Sequence, residues 1–150
     1  NKVVNIQYRG GGAGTGCGYE ARCTPNKPHR GVCPEGWHVP DTSEFNTLFK
    51  TIGNAAVEDS ANVGMYLKST SGWKNDTTET TDLFGFTVRP AGFRIEQPQF
   101  RQIEEYAYLW TATENADNDS YFNFFSYGNI FAILKYSKKY YARSLRCIKD

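Results

Sequence analysis

Histidine and methionine are nearly missing from this 150-residue chain, which holds two of the first and one of the second. So few imidazoles leave little for acid–base chemistry or metal ligation at neutral pH. No apolar run is long enough to cross a bilayer as a helix, and mean hydropathy is −0.59. Charge of one sign is not in excess either. Seventeen basic against 16 acidic residues leave +1, too little to draw the chain toward nucleic acid or a membrane surface. The opening Asn1-Lys2-Val3 carries no signal-peptide pattern, as expected of a mature or excised fragment.

Aromatic residues, by contrast, are dense: 10 Tyr, 10 Phe and 3 Trp make 15% of the chain. The length fits one domain with a sizeable core. The four cysteines, Cys17, Cys23, Cys33 and Cys147, allow three connectivities. Spacing favours Cys17–Cys23 across a short loop and Cys33–Cys147 across most of the chain. The chain-entropy model credits the long loop with about 5 kcal/mol and the short one with about 2.4. Zinc is the competing use of these thiols, but neither His29 nor His38 forms a closely spaced ligand pair with a cysteine. Disulfides imply an oxidising compartment, the cell surface or beyond.

Residues 1–16 read as a short strand (Val3, Val4, Ile6, Tyr8) running into a glycine-rich connector. The glycines lack the Gly-Lys-Ser/Thr ending of a phosphate loop. Asp41 and Glu44 form a capping-box pattern before a helix carrying Phe45, Leu48, Phe49 and Ile52, which Gly53 should end. A shorter helix is expected within Ala55–Leu67, with Gly64 as its weak point. Strands are expected at Phe86–Arg89, Trp110–Thr113, Tyr121–Tyr127, Ile130–Leu134 and Ser144–Ile148. Helices early and short strands late spell an α+β fold.

Four segments together resemble the Fibrobacter succinogenes major paralogous domain, found in secreted and surface proteins of Bacteroidetes and relatives. They are CPEGWHVP (Cys33–Pro40), GFTVRPAGFR (Gly85–Arg94), YLWTATE (Tyr108–Glu114) and SLRCIKD (Ser144–Asp150). The resemblance covers residues 33–150, with residues 1–32 taken as part of the same domain. It implies a C-type-lectin-like fold, two helices beside short antiparallel strands with the chain ends together, and it supports the Cys33–Cys147 bridge. The chain departs from the pattern at Ala142-Arg143, where the family usually has Gly-aromatic. The Cys17–Cys23 loop is an addition.

No catalytic constellation emerges, and no cofactor or metal is implied. His38 within WHVP reads as a satisfied structural histidine rather than a general base. Glu104 and Glu105 are adjacent and should point apart. Asp117 and Asp119 beside Asn115 and Asn118 read as a solvated turn rather than a calcium loop, because the Glu-Pro-Asn and Trp-Asn-Asp ligand motifs of sugar-binding C-type lectins are absent. Formylglycine-generating enzymes share the broader fold but need a reactive cysteine pair, which the disulfides would consume. Trp37 and Trp110 are expected in the core, and Trp73, in a polar loop, at the surface.

Residues 115–134, NADNDSYFNFFSYGNIFAIL, combine Tyr, Phe, Asn, Asp and Ser, a palette suited to adaptable contact surfaces. The stretch contains no Lys, Glu, Gln, Met or Trp. Those are the residues that randomised adenines in Asn codons cannot produce, as in target proteins of diversity-generating retroelements. Period-two alternation sets Phe122 and Phe124 inward and Tyr121, Asn123, Phe125 and Tyr127 outward. The expected ligand-binding residues are Asn115, Asp117, Asn118, Tyr121, Asn123, Phe125, Tyr127, Asn129 and Phe131, with Tyr136 and Tyr140 at the margin. The functional expectation is a non-enzymatic extracellular recognition domain on a bacterial surface or phage virion, binding a protein receptor or glycan. The alternatives are an assembly domain of a larger surface protein or pilus, and a carbohydrate-binding module.

Overall fold

The computed structural model describes residues 19–22, 27–55, 62–74, 79–95 and 99–150; the strand and connector expected at residues 1–16 and the Cys17–Cys23 pair lie outside them. The first long element starts where the sequence places it. Asp41 Oδ1 accepts from the backbone N–H of Ser43 and Glu44 at 2.8 and 3.0 Å, and Glu44 Oε2 accepts from that of Asp41 at 2.9 Å. This reciprocal box satisfies N–H groups that the first helical turn leaves unpaired. Burial alone would raise the Asp41 carboxyl pKa, but bonds from Ser43, Lys27 and the Glu44 N–H outweigh it and hold the value at about 2. Helix α1 then runs Thr42–Ala55, two residues past the expected stop at Gly53. Phe45 and Ile52 are buried from it, with Leu48 and Phe49 packed alongside.

Helix α2 is short, Val63–Leu67, and its glycine has a steric purpose. A Cβ on Gly64 would sit 2.5 Å from the carbonyl oxygens of both Ile130 and Phe131. The Met65 N–H donates to the Ile130 carbonyl at 3.1 Å, so α2 lies directly against the loop that precedes the last sheet strand. Gly64 weakens the helix by propensity and permits that approach.

The strands form small antiparallel sheets. Strand β1 (Trp37–His38) pairs with β7 (Ile148–Lys149), and β2 (Phe93–Arg94) pairs with β3 (Phe100–Arg101). The main sheet is β4 (Tyr106–Ala116), β5 (Asp119–Ser126) and β6 (Ile133–Lys138), in that order, with β5 central. The expected strand Phe86–Arg89 reduces to an isolated bridge between Val88 and Lys68, and Ser144 likewise only bridges Leu109. The α+β class therefore stands, with strand boundaries moved.

Both faces of β5 are covered. Ala107, Leu109 and Phe125 pack against α1 and α2 with Phe45, Ile52, Val63, Leu67, Trp73 and Val88. On the opposite face Phe122 joins Tyr108 and Trp110 in a second cluster, flanked by Phe93, Phe124, Tyr141 and Leu145. Trp110 is core as expected. Trp73 is a correction: it is buried, its Nε1–H donates to Ser69 Oγ at 3.1 Å, and the Lys68 ammonium lies 4.5 Å from its ring centroid. Trp37 is a correction in the other direction. It is 39% exposed, because the β1–β7 ribbon lies at the rim.

That ribbon closes the chain. Cys33 and Cys147 are disulfide-bonded. His38, buried beside them, has both ring nitrogens engaged, Nδ1 with Asp150 Oδ1 at 2.6 Å and Nε2 with Glu44 Oε1 at 2.7 Å. Desolvation pulls the imidazole pKa down, yet the two carboxylate contacts together raise it above its ordinary 6.5. His38 thus ties the start of α1 to the C-terminal residue Asp150, with both carboxylates favouring its charged form.

Two predictions follow from this packing. A group whose folded pKa is raised stabilises the fold fully below its unfolded pKa and loses that contribution as pH rises through the folded value. The melting-temperature gap between the native chain and His38→Gln should therefore be widest below pH 6.5 and close as pH climbs above it. A pH-independent gap would refute the clamp. Phe125→Ala and Phe122→Ala, each emptying a buried site, should both cost about 3–5 kcal/mol in urea unfolding.

Candidate recognition surface

The expected site residues do not share one face. Asn123 and Phe125 have no exposed surface, which corrects their outward assignment: they face the helix-packed core. Phe122 is also buried and Phe124 half-buried, so the alternation separates two covered faces rather than a wet and a dry one. Tyr127 is half-buried, packed on the core and edge-on to Tyr106 at 6.1 Å. The orientation inferred from period two fails for a strand with cover on both sides.

The hairpin joining β4 to β5 turns at Asp117-Asn118, and neighbouring side chains pin it. Asn118 Oδ1 accepts from the Glu20 N–H at 2.7 Å, and Asp119 pairs with Lys138 at 3.2 Å. Lys139, buried, donates to Glu114 at 2.5 Å and to the Ala21 carbonyl at 2.9 Å. Asn115 is half-buried and Asp117 exposed. Tyr140 stacks edge-on with Tyr19 and Tyr141 at 5.1 and 4.7 Å, so it too packs locally.

An exposed apolar strip does exist, along β6. Phe131, Ile133, Leu134 and Tyr136 are 36–59% exposed, Tyr136 most of all. Tyr121 on β5 lies edge-on to Tyr136 at 6.0 Å and extends the strip one strand inward. On β6 the alternation puts Ile133 and Lys135 on one face and Leu134 and Tyr136 on the other. The Lys135 ammonium lies 4.3 Å from the Phe124 ring centroid, its stem spread over the aromatic cluster. Along the outer edge of β6 no further strand pairs among the described residues. The strip therefore offers side chains on two faces and, between them, backbone groups that no strand among the described residues pairs.

The loop leading into β6 is firmly held. Asn129 Oδ1 accepts from the Phe131 N–H at 3.0 Å, and the Asn129 and Ser126 carbonyls accept from the buried Lys68 ammonium at 3.2 and 3.0 Å. Phe131 is thus presented from a loop braced by Lys68 and by α2. Ile133 and Leu134 join the strip although the sequence reading did not select them. Their signal was the run Ile133-Leu134-Lys135-Tyr136-Ser137-Lys138, since lysine among apolar residues is common on edge strands.

A cleft of about 340 Å³ is lined by Lys27, His29, His38, Asp41 and Glu44 among others. Its polar groups are committed elsewhere: His38 holds two carboxylates, and Asp41 caps α1 while pairing with Lys27 at 3.0 Å. Burial lowers the pKa of His29. Of the adjacent pair Glu104-Glu105, Glu105 pairs with Lys74 at 2.7 Å. Neither place sets a nucleophile beside a base.

No curated protein and no solved structure gives a significant match to the chain. The family model of the Fibrobacter succinogenes major domain does match, over residues 4–149. That span begins well upstream of the Cys33 segment on which the resemblance rested and takes in nearly the whole sequence. The chain belongs to the Fibrobacter succinogenes major domain family.

Proposed function

We propose that this chain is a non-enzymatic, extracellular ligand-recognition domain with a C-type-lectin-like fold, carried on a bacterial surface or a phage virion. The observation that carries the reading is the strip along β6 and the loop before it: four large apolar side chains exposed together at a sheet edge that pairs with no further strand among the described residues. Exposed apolar residues clustered in this way mark interaction sites. The Cys33–Cys147 bridge fits an oxidising compartment. The ligand class favoured is a protein receptor. An edge strand can pair with an extended backbone, and Tyr136, Phe131 and Tyr121 supply the aromatic anchors on which protein interfaces rely.

The contact residues in this reading are Tyr121, Phe131, Ile133, Leu134 and Tyr136, with Asp117 and Asn129 at the two ends. The restricted composition of residues 115–134 fits a segment diversified by a retroelement, which would let one scaffold present different side chains on the same strip. Sequencing the DNA around the gene for a near-identical repeat and a reverse transcriptase tests that part alone.

For the site, the chain would be screened against arrays of bacterial and host surface proteins and of glycans. Tyr136→Ala and Phe131→Ala should leave stability within about 0.5 kcal/mol and weaken capture of a protein ligand by about 2 kcal/mol or more. Binding that survives both substitutions would sink the proposed surface. Binding to glycans alone would make the chain a carbohydrate-binding module instead.

A further inference from the structure

Arg143 occupies the place where the sequence departs from the family pattern, and its setting is unusual for a cation. Its guanidinium carbon lies 3.7 Å from the Phe122 ring centroid, 4.6 Å from that of Trp110 and 4.8 Å from that of Tyr108. Ring faces attract the guanidinium as a charge, but they leave its in-plane N–H donors without acceptors. Nε and Nη1 of Arg143 are buried with no hydrogen-bond partner among the described residues, and Nε of Arg94 is in the same condition. Buried donors of this kind are normally satisfied, so three in one neighbourhood call for an explanation.

The backbone brings the two arginines together. Arg94 and Ala142 exchange N–H···O=C bonds at 2.8 and 3.0 Å, which sets Arg143 next to the β2 strand. Both residues line one open groove of about 170 Å³, whose other walls include Gly92, Phe93, Phe100 and Ser144. No carboxylate pairs with either guanidinium among the described residues. Burial lowers the Arg143 pKa to about 10, with only the neighbouring Tyr108 and Tyr141 opposing the shift. A desolvated cation with free in-plane donors is the complement of an oxyanion, which guanidinium groups bind in forked pairs.

We propose that the groove between Arg94 and Arg143 binds an oxyanion, the carboxylate or phosphate group of a small ligand, with Phe93 and Phe100 against the body that carries it. The site lies on the aromatic-cluster side of the sheet and does not depend on the β6 strip.

The test follows the side-chain Nε–H resonances of Arg94 and Arg143 by NMR in the whole chain. Sodium benzoate, sodium phosphate and sodium chloride are added at matched ionic strength. Saturable shifts of both resonances are expected with benzoate or phosphate and not with chloride. Saturation by benzoate alone assigns a carboxylate on an apolar body, and saturation by phosphate a phosphoryl group. Arg94→Gln should keep the melting temperature and weaken binding at least about tenfold, the loss of one charge-assisted hydrogen bond. Arg143→Lys, which keeps the charge and removes the fork, should weaken it similarly. Should Arg143→Lys not fold, Arg94→Gln decides. Shifts that never saturate, that match those in chloride, or that persist unchanged in Arg94→Gln overturn the proposal.

Discussion

Phe125 has no contact with solvent, and the arrangement of the whole molecule follows from how it is covered. Its strand, β5, is central in a three-stranded sheet, so it is hydrogen-bonded on both edges as well as packed on both faces. Covering the Phe125 face requires α1 and α2, and α2 can approach only because Gly64 lacks a side chain. Covering the Phe122 face requires Phe93 from the short strand β2 and Tyr141 and Arg143 from the irregular segment after β6. One strand thus dictates where both the helices and the long irregular segments must lie.

Irregular segments cannot satisfy their carbonyls through a ladder, and interior cations take over part of that work. Lys68 holds the Ser126 and Asn129 carbonyls, and Lys139 holds the Ala21 carbonyl together with Glu114. Both lysines have almost no exposed surface. Bonds from a charged donor are stronger than neutral ones, and breaking a buried one leaves an uncompensated charge. At the chain's closure His38 instead bridges two carboxylates, those of Glu44 and Asp150. Arg143 is the exception among these interior cations, since aromatic faces rather than acceptors surround it.

The legible parts of this fold were those set by local chemistry. The Asp41–Glu44 box, the periodic face of α1 and the Cys33–Cys147 pairing each depend on residue type and spacing, and each is present. The illegible parts depend on what arrives from elsewhere in the chain. Alternation along β5 separates two faces correctly, but nothing local says that the second face also acquires a cover; hence Phe125 and Asn123 read as exposed. Trp73 stands among polar neighbours in sequence and beside Lys68 and Ser69 in space, a core position that a polar loop conceals. In the candidate surface, Phe131, Tyr136 and Tyr121 were readable from composition. Ile133 and Leu134 lay inside the strand expected at Ile130–Leu134 and were missed because nothing local marks that strand as the outer one of its sheet.

A sheet covered on both faces leaves its rim for contact, and the kind of rim matters for what the domain can do. The outer edge of β4 is taken up: Trp110 donates to the Ser144 carbonyl at 3.1 Å and Ala112 to the Pro40 carbonyl at 2.8 Å. The edge of β6 is not so covered among the described residues. Natural proteins usually blunt such edges with charge, and β6 carries Lys135 and Lys138. Here, however, Lys138 is paired with Asp119 and Lys135 lies over Phe124, so both are drawn onto the sheet and the apolar side chains stand out between them. Backbone pairing along an edge does not depend on side-chain identity, whereas the alternate side chains do the choosing. In the recognition reading proposed above, this division explains how Tyr136 and Phe131 could change between related chains while the mode of docking stayed fixed. The core would not register the exchange, because neither residue belongs to the two clusters that hold β5.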